Sequence, residues 1–284
     1  MPPSTAPVAS PARGPDILMR SAWVMLPLLA AMHLLGWWVD GTFSRETYNL
    51  LLDRFNLHVE GTVPAWFSAA LLLTIGFTWF QRADLPDVRA AGDTWRYRLL
   101  AAAFFYVSCD ESIGLHELAI DPIRSAFNLG GALYYAWIVP AVVLLATFAL
   151  LLWPIVPRMP PALRRSALLA GGIYLTGAIG MEMVGGLLRD GGDNTGAAYL
   201  LASTVEELLE IIGLLVMVTA LTREGAASAD THPAEPAITR RPQPTPRIHI
   251  APDMPPRKRG STAPPEPQKR RSPAALHPAR LQNR

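Results

Sequence analysis

The stretch Val63-Pro-Ala-Trp-Phe-Ser-Ala-Ala-Leu-Leu-Leu-Thr-Ile-Gly-Phe-Thr-Trp-Phe-Gln81 decides the fold. It contains no formally charged side chain, and Trp66/Phe67 and Trp79/Phe80 bracket it. About 20 mostly apolar residues carry a helix across the hydrocarbon core of a bilayer. Aromatic side chains gather where that core meets water. The stretch therefore predicts a transmembrane helix rather than a soluble core element.

The same reading extends outward in both directions. Ser21–Val39 is free of charge and lies between Trp23 and the pair Trp37/Trp38. Gly130–Val156 begins with Tyr134, Tyr135 and Trp137 and finishes near Trp153. Leu99–Ile120, Ser166–Leu188 and Ala197–Thr222 have the length of a span but contain acids. The expected fold is all-α, a polytopic membrane helical bundle of six transmembrane helices. The first span is too long for a signal-peptide core, and Gly36-Trp37-Trp38-Val39-Asp40 offers no small-residue cleavage site, so it reads as a signal anchor.

Composition agrees. Half of the 284 residues are hydrophobic and 17% are charged, against about a quarter charged in a soluble domain. Residues 1–222 hold 13 Arg, no Lys and 18 acids, whereas residues 223–284 hold 12 basic and 5 acidic residues. The Arg-rich loops 82–98 and 157–165 alternate with acidic or balanced loops at 40–62, 121–129 and 189–196. Cytoplasmic loops carry the excess of Arg and Lys, so both termini are expected in the cytoplasm. The Pro, Ala and Arg bias points to a bacterial chain, hence to the cell inner membrane as the compartment.

The chain divides into three regions. Residues 1–16 read as a disordered N-terminal segment and 17–222 as the six-helix transmembrane domain. Residues 223–284 read as a disordered, Pro-rich basic tail. The expected partner is the lipid bilayer, with the tail directed at anionic lipid; no specific nucleic acid is expected. Thr47–His58 reads as a short amphipathic segment on the membrane surface. The single cysteine, Cys109, excludes an internal disulfide and reads as a small buried hydrophobe.

Polar residues inside the spans locate the chemistry. The third span has Asp110, Glu111, His116 and Glu117, the fifth has Glu182, and the sixth has Glu206, Glu207 and Glu210. His33 lies in the first. An ionised acid at a helix centre costs roughly 2.5–3.5 kcal/mol, and no Arg or Lys inside a span offsets these. Counting from the expected outer ends at about 1.5 Å per residue puts them roughly 5 to 15 Å below the outer interface, in one leaflet. On a continuous third helix Asp110 and Glu117 share a stripe through Gly114, with Glu111 and His116 to either side, which predicts a central third helix. On the fifth, Glu182 shares a small-residue face with Gly171, Ala178 and Gly185.

Protons, water or cations would make such a cluster tolerable. Carboxylates plus His projecting into a bundle core suit a divalent metal such as Fe, Mn or Zn. Asp110, Glu111, His116, Glu117, Glu182, Glu206, Glu207, Glu210 and His33 are the candidate ligands, although the Glu-x-x-His pattern of di-iron bundles is missing. The run Asp110-Glu111-Ser-Ile-Gly-Leu-His116-Glu117 and the later Glu206-Glu207-Leu-Leu-Glu210 resemble motifs of uncharacterised bacterial multi-pass membrane proteins. Val59-Glu60-Gly-Thr-Val-Pro64-Ala-Trp66-Phe-Ser68 shares the resemblance, which implies no particular activity. The readings left open are a metal-dependent membrane enzyme, a proton- or cation-coupled transporter, and a structural or assembly subunit of a membrane complex.

Overall fold

A computed structural model describes residues 13–42, 52–193 and 196–231. The disorder expected of residues 1–16 and 223–284 lies mostly outside the described residues, but residues 13–16 open the first helix and 223–231 continue the last. Of the expected amphipathic segment Thr47–His58, residues 47–51 lie outside the described residues and Asp53–Phe55 form a single 3-10 turn. Among the described residues there are helices and turns and no strand.

The helices are α1 (Arg13–Thr42), α2 (Val63–Arg82), the short α3 (Pro86–Ala90), α4 (Thr94–Ile113), α5 (Glu117–Phe127), α6 (Ile138–Leu152), α7 (Pro161–Leu175), α8 (Glu182–Asp190) and α9 (Ala197–Thr231). Four stretches are long and apolar enough to cross a membrane: Ile17–Val39, Val63–Arg82, Ile138–Arg158 and Pro161–Asp190. Large apolar side chains point outward all around, among them Trp66, Val143 and Leu150, the last 78% exposed. Such a rind suits lipid and not water.

α2 illustrates how the sequence sets its element. Thr62 is extended and Pro64 occupies the first turn, where a missing N–H costs nothing. Phe67, Leu71, Ile75 and Trp79 recur every four residues and are buried, forming one stripe. α2 lies along α4. Gly76 admits the Phe105 ring, which an added Cβ would meet at 2.6 Å. The Ser108 hydroxyl donates to the Ala69 carbonyl across the same contact at 2.8 Å.

α9 is the hub. It packs on α1, α2, α7 and α8, and Ile211, Leu214, Leu215, Val218 and Leu221 form its buried stripe. The expectation that the third span is central is thus corrected: α4 buries only Tyr97, Ala101 and Ser108. Glycines let α7 and α9 approach. A Cβ on Gly213 would stand 2.9 Å from the Ala170 carbonyl oxygen, and one on Gly177 would stand 2.7 Å from that of Glu206. Small residues do line the fifth segment, but the close approach is at Gly177; Gly171 has nothing within 4 Å.

Two stretches depart from the expected continuous spans. The expected third span, Leu99–Ile120, is broken. α4 stops at Ile113, Gly114 takes φ +62°, and α5 begins at Glu117. A left-handed residue ends a helix, and glycine adopts that conformation without steric penalty. The segment 121–129, expected to be a loop, is mostly helix α5. In the fifth span, Thr176–Met181 forms a π-helical stretch between α7 and α8. Cys109 is also corrected: it is exposed, and its neighbour Ser108 is the buried residue.

Arginines tie down the end of the bundle near Asp93. The Asp93 carboxylate is buried and accepts from Arg96 at 2.7 Å and from Arg158. Arg82 pairs with Glu224 near the end of α9. That helix continues to Thr231, beyond the expected end of the sixth span at Thr222.

Candidate metal-binding cavity

The break at Gly114 builds the site. As α4 ends, the chain doubles back and brings His116 over Asp110. Asp110 Oδ1 accepts the His116 backbone N–H at 2.8 Å, and Oδ2 lies 2.9 Å from His116 Nδ1. The Gly114 N–H donates to the Asp110 carbonyl oxygen at 2.7 Å. The turn therefore satisfies its own backbone while fixing one imidazole by two contacts to one carboxylate.

The loop between α1 and α2 closes over this turn. Leu57 N–H donates to His33 Nδ1 at 3.3 Å, and His33 Nε2 stands 3.3 Å from the Thr204 hydroxyl. His58 N–H donates to Asn56 Oδ1, and Thr62 donates to the Val59 carbonyl oxygen. These bonds carry Glu60 to the face of Gly114. A Cβ there would come within 2.6 Å of Glu60 Oε1. Gly114 thus serves both the left-handed turn and the approach of the carboxylate.

Glu60, His116 and Glu117 each offer a ligand atom, and the three atoms lie within 4.8 Å of one another. Burial, followed by the neighbouring Glu117 charge, holds the Glu60 carboxyl above its ordinary value. With Nδ1 engaged by Asp110, His116 has Nε2 left for a ligand. A second partner at the other ring nitrogen is what orients a metal-binding imidazole.

The triad opens on a cavity of about 200 Å³. Asp110, Glu111, His116 and Glu117 line it from the α4–α5 turn. Glu182 reaches it from the start of α8, and Glu206, Glu207 and Glu210 reach it from α9. Eight of the nine residues singled out in the sequence thus share one cavity. The ninth, His33, does not: it is buried behind the loop, and both ring nitrogens are engaged there.

Aromatic residues complete the walls. Trp137 Nε1 donates to Glu182 Oε1 at 2.9 Å, and its ring lies 4.8 Å from that of His116. Tyr135 and Tyr199 share a hydroxyl–hydroxyl hydrogen bond of 2.7 Å. Tyr174 stands against Glu210. Glu182 owes its position to the π-helical stretch just before it. Such stretches often mark functional sites, because the extra residue rotates the next turn of helix about its axis.

Sequence reasoning missed Glu60, His58 and the aromatic walls. Depth counting searched within helices, and Glu60 belongs to none. Its one signal was the resemblance of Val59–Ser68 to the same proteins that share the acidic motifs. His58 lines the cavity with both ring nitrogens buried and without a hydrogen-bond partner among the described residues. Its ring meets that of His33 edge-on at 4.7 Å. Burial, then the nearby His33, lowers its pKa to about 4.

No curated protein and no solved structure matches the chain. One family model matches residues 21–223, a range that includes every residue of the cavity. The chain belongs to the family described as Domain of unknown function (DUF8692).

Proposed function

We propose that this is an integral protein of the bacterial inner membrane, with six spans and both termini cytoplasmic, whose cavity holds a divalent metal as a metal-dependent membrane enzyme. The observation that carries the proposal is His116, held at Nδ1 by Asp110 with two carboxylates beside it. In this reading Glu60, His116 and Glu117 bind the ion. Asp110 orients the imidazole instead of ligating, since His116 already engages both of its oxygens.

One imidazole with carboxylate oxygens suits Zn, Mn or Fe more than a soft ion. Such an ion takes its ligand atoms at about 2.0–2.2 Å, so the three atoms, within 4.8 Å of one another, would draw together around it. The remaining acids, Glu111, Glu182, Glu206, Glu207 and Glu210, are available as a general base or as further oxygen ligands. The coupled-transporter reading finds less support. Between the cavity and the Arg-rich end the core is apolar, built from Ile75, Trp79, Ala101, Leu215 and Val218, and such packing offers a cation no track.

The test is metal analysis of the full chain purified in detergent or nanodiscs. The expected result is about one Fe, Mn or Zn per chain, lowered by Glu60→Gln and by His116→Asn. Absence of stoichiometric metal, with no uptake of added Fe(II), Mn(II) or Zn(II), overturns the metal reading.

A further inference from the structure

The metal reading uses only the start of helix α5, where Glu117 stands, and leaves the rest of the helix unexplained. At 100° per residue, Glu117, Asp121, Arg124 and Ser125 fall in an arc of about 100°, and every apolar residue of the helix falls outside it. None of its residues is buried. Leu118 and Phe127, about 180° apart on the apolar arc, are 73% and 71% exposed. Ala119, Ile120 and Ile123 are partly covered, Ile120 at the cavity wall, but among the described residues nothing covers the rest of that arc.

We infer that α5 lies flat in the membrane interface, with its apolar arc in the acyl region of the outer leaflet and its polar arc in water. Three observations name lipid as the occupant. α4 ends three residues before α5, and the membrane-length stretch Ile138–Arg158 starts soon after it. That stretch exposes Val143 and Leu150 in the same manner as α5 exposes Leu118 and Phe127. The Arg124 guanidinium stacks on Tyr134 at 4.3 Å, and aromatic and basic side chains of this kind anchor helices at headgroup level. A strong division into one polar and one apolar side is what distinguishes a helix lying on a membrane from one that spans it. Because α5 begins with Glu117, its depth sets the depth of the cavity mouth.

The inference rests on the membrane reading and is independent of the metal. It is tested in the full chain, reconstituted in liposomes of mixed zwitterionic and anionic phospholipid, in a Cys109→Ser background. Nitroxide labels are placed by Leu118→Cys, Phe127→Cys, Asp121→Cys, Ser125→Cys and, as a bilayer reference, Val143→Cys. Collision with oxygen, which concentrates in lipid, is compared with collision with a water-soluble nickel chelate. The expected pattern is oxygen dominant at 118, 127 and 143 and chelate dominant at 121 and 125. Chelate dominance at 118 and 127, with 143 in lipid, overturns the inference and leaves the membrane reading standing. Shielding of 118 and 127 from both reagents means that protein covers the face, and also overturns it. Chelate dominance at 143 overturns both.

Discussion

Asp110 grips His116 at two points, the backbone N–H at 2.8 Å and the ring Nδ1 at 2.9 Å. One carboxylate thus sets both the path of the chain after Gly114 and the free face of the imidazole. Asp110→Ala is expected to weaken metal binding by about 10–100-fold, the usual effect of losing such a partner. Asp110→Asn keeps the backbone contact when its amide oxygen takes the same place, and should weaken binding less. Titration of Zn(II) or Mn(II) into both purified variants checks the order. Equal affinity of Asp110→Ala and the parent chain rejects the orienting role.

Gly114→Ala meets two obstacles, φ +62° and the Glu60 carboxylate where the Cβ would stand. A loss on the order of 1–3 kcal/mol is expected from the backbone alone. Gly171→Ala is the control, since it adds a Cβ into open space within a helix and should be neutral or slightly stabilising. Thermal unfolding in detergent separates the two; similar midpoints would contradict the geometry described for the turn.

Gly213→Leu should force α7 and α9 apart, because even a Cβ would stand 2.9 Å from the Ala170 carbonyl oxygen. Overpacking of this kind costs about 1–3 kcal/mol. The cavity acids on α9 should shift with the helix, so metal binding falls along with the melting temperature. A stable Gly213→Leu chain with unaltered binding would show that this contact is slack.

His58 gives stability a pH dependence. Burial, then His33, lowers its pKa to about 4 from an ordinary 6.5. Between those values the unfolded chain binds more protons than the folded one, so stability falls as pH is lowered through that window. Above pH 6.5 the contribution is intact. The melting temperature should therefore drop between pH 7 and pH 5, and His58→Asn should flatten the drop. A slope unchanged in His58→Asn would assign it to other groups.

The sequence showed the apolar segments and the acids among them plainly, because charge-free runs with aromatic ends have few alternatives. It did not show how the acids meet. On a continuous helix Asp110 and Glu117 share a stripe; in the structure they meet through a turn at Gly114. Hydropathy cannot register that turn, since Ser112, Gly114 and Leu115 are as compatible with a helix as with its end. Glu60 was hidden for a related reason: it lies on a loop, and its place depends on the hydrogen bonds of His33 and Asn56, not on periodicity. The hub role of α9 was likewise hidden, because burial against protein and burial against lipid read alike in an apolar sequence.

The π-helical stretch Thr176–Met181 has a consequence of another kind. It holds one residue more than an α-helix of the same rise needs. Were the stretch to relax into regular α-helix with all six residues kept, Glu182 would swing away from Trp137 by about 100°. Loss of one residue within Thr176–Met181 would instead remove the excess and leave Glu182 near its place, whereas a further insertion would turn it away. In aligned relatives, a single-residue gap in this stretch would mark chains that hold the same carboxylate on an unbroken helix.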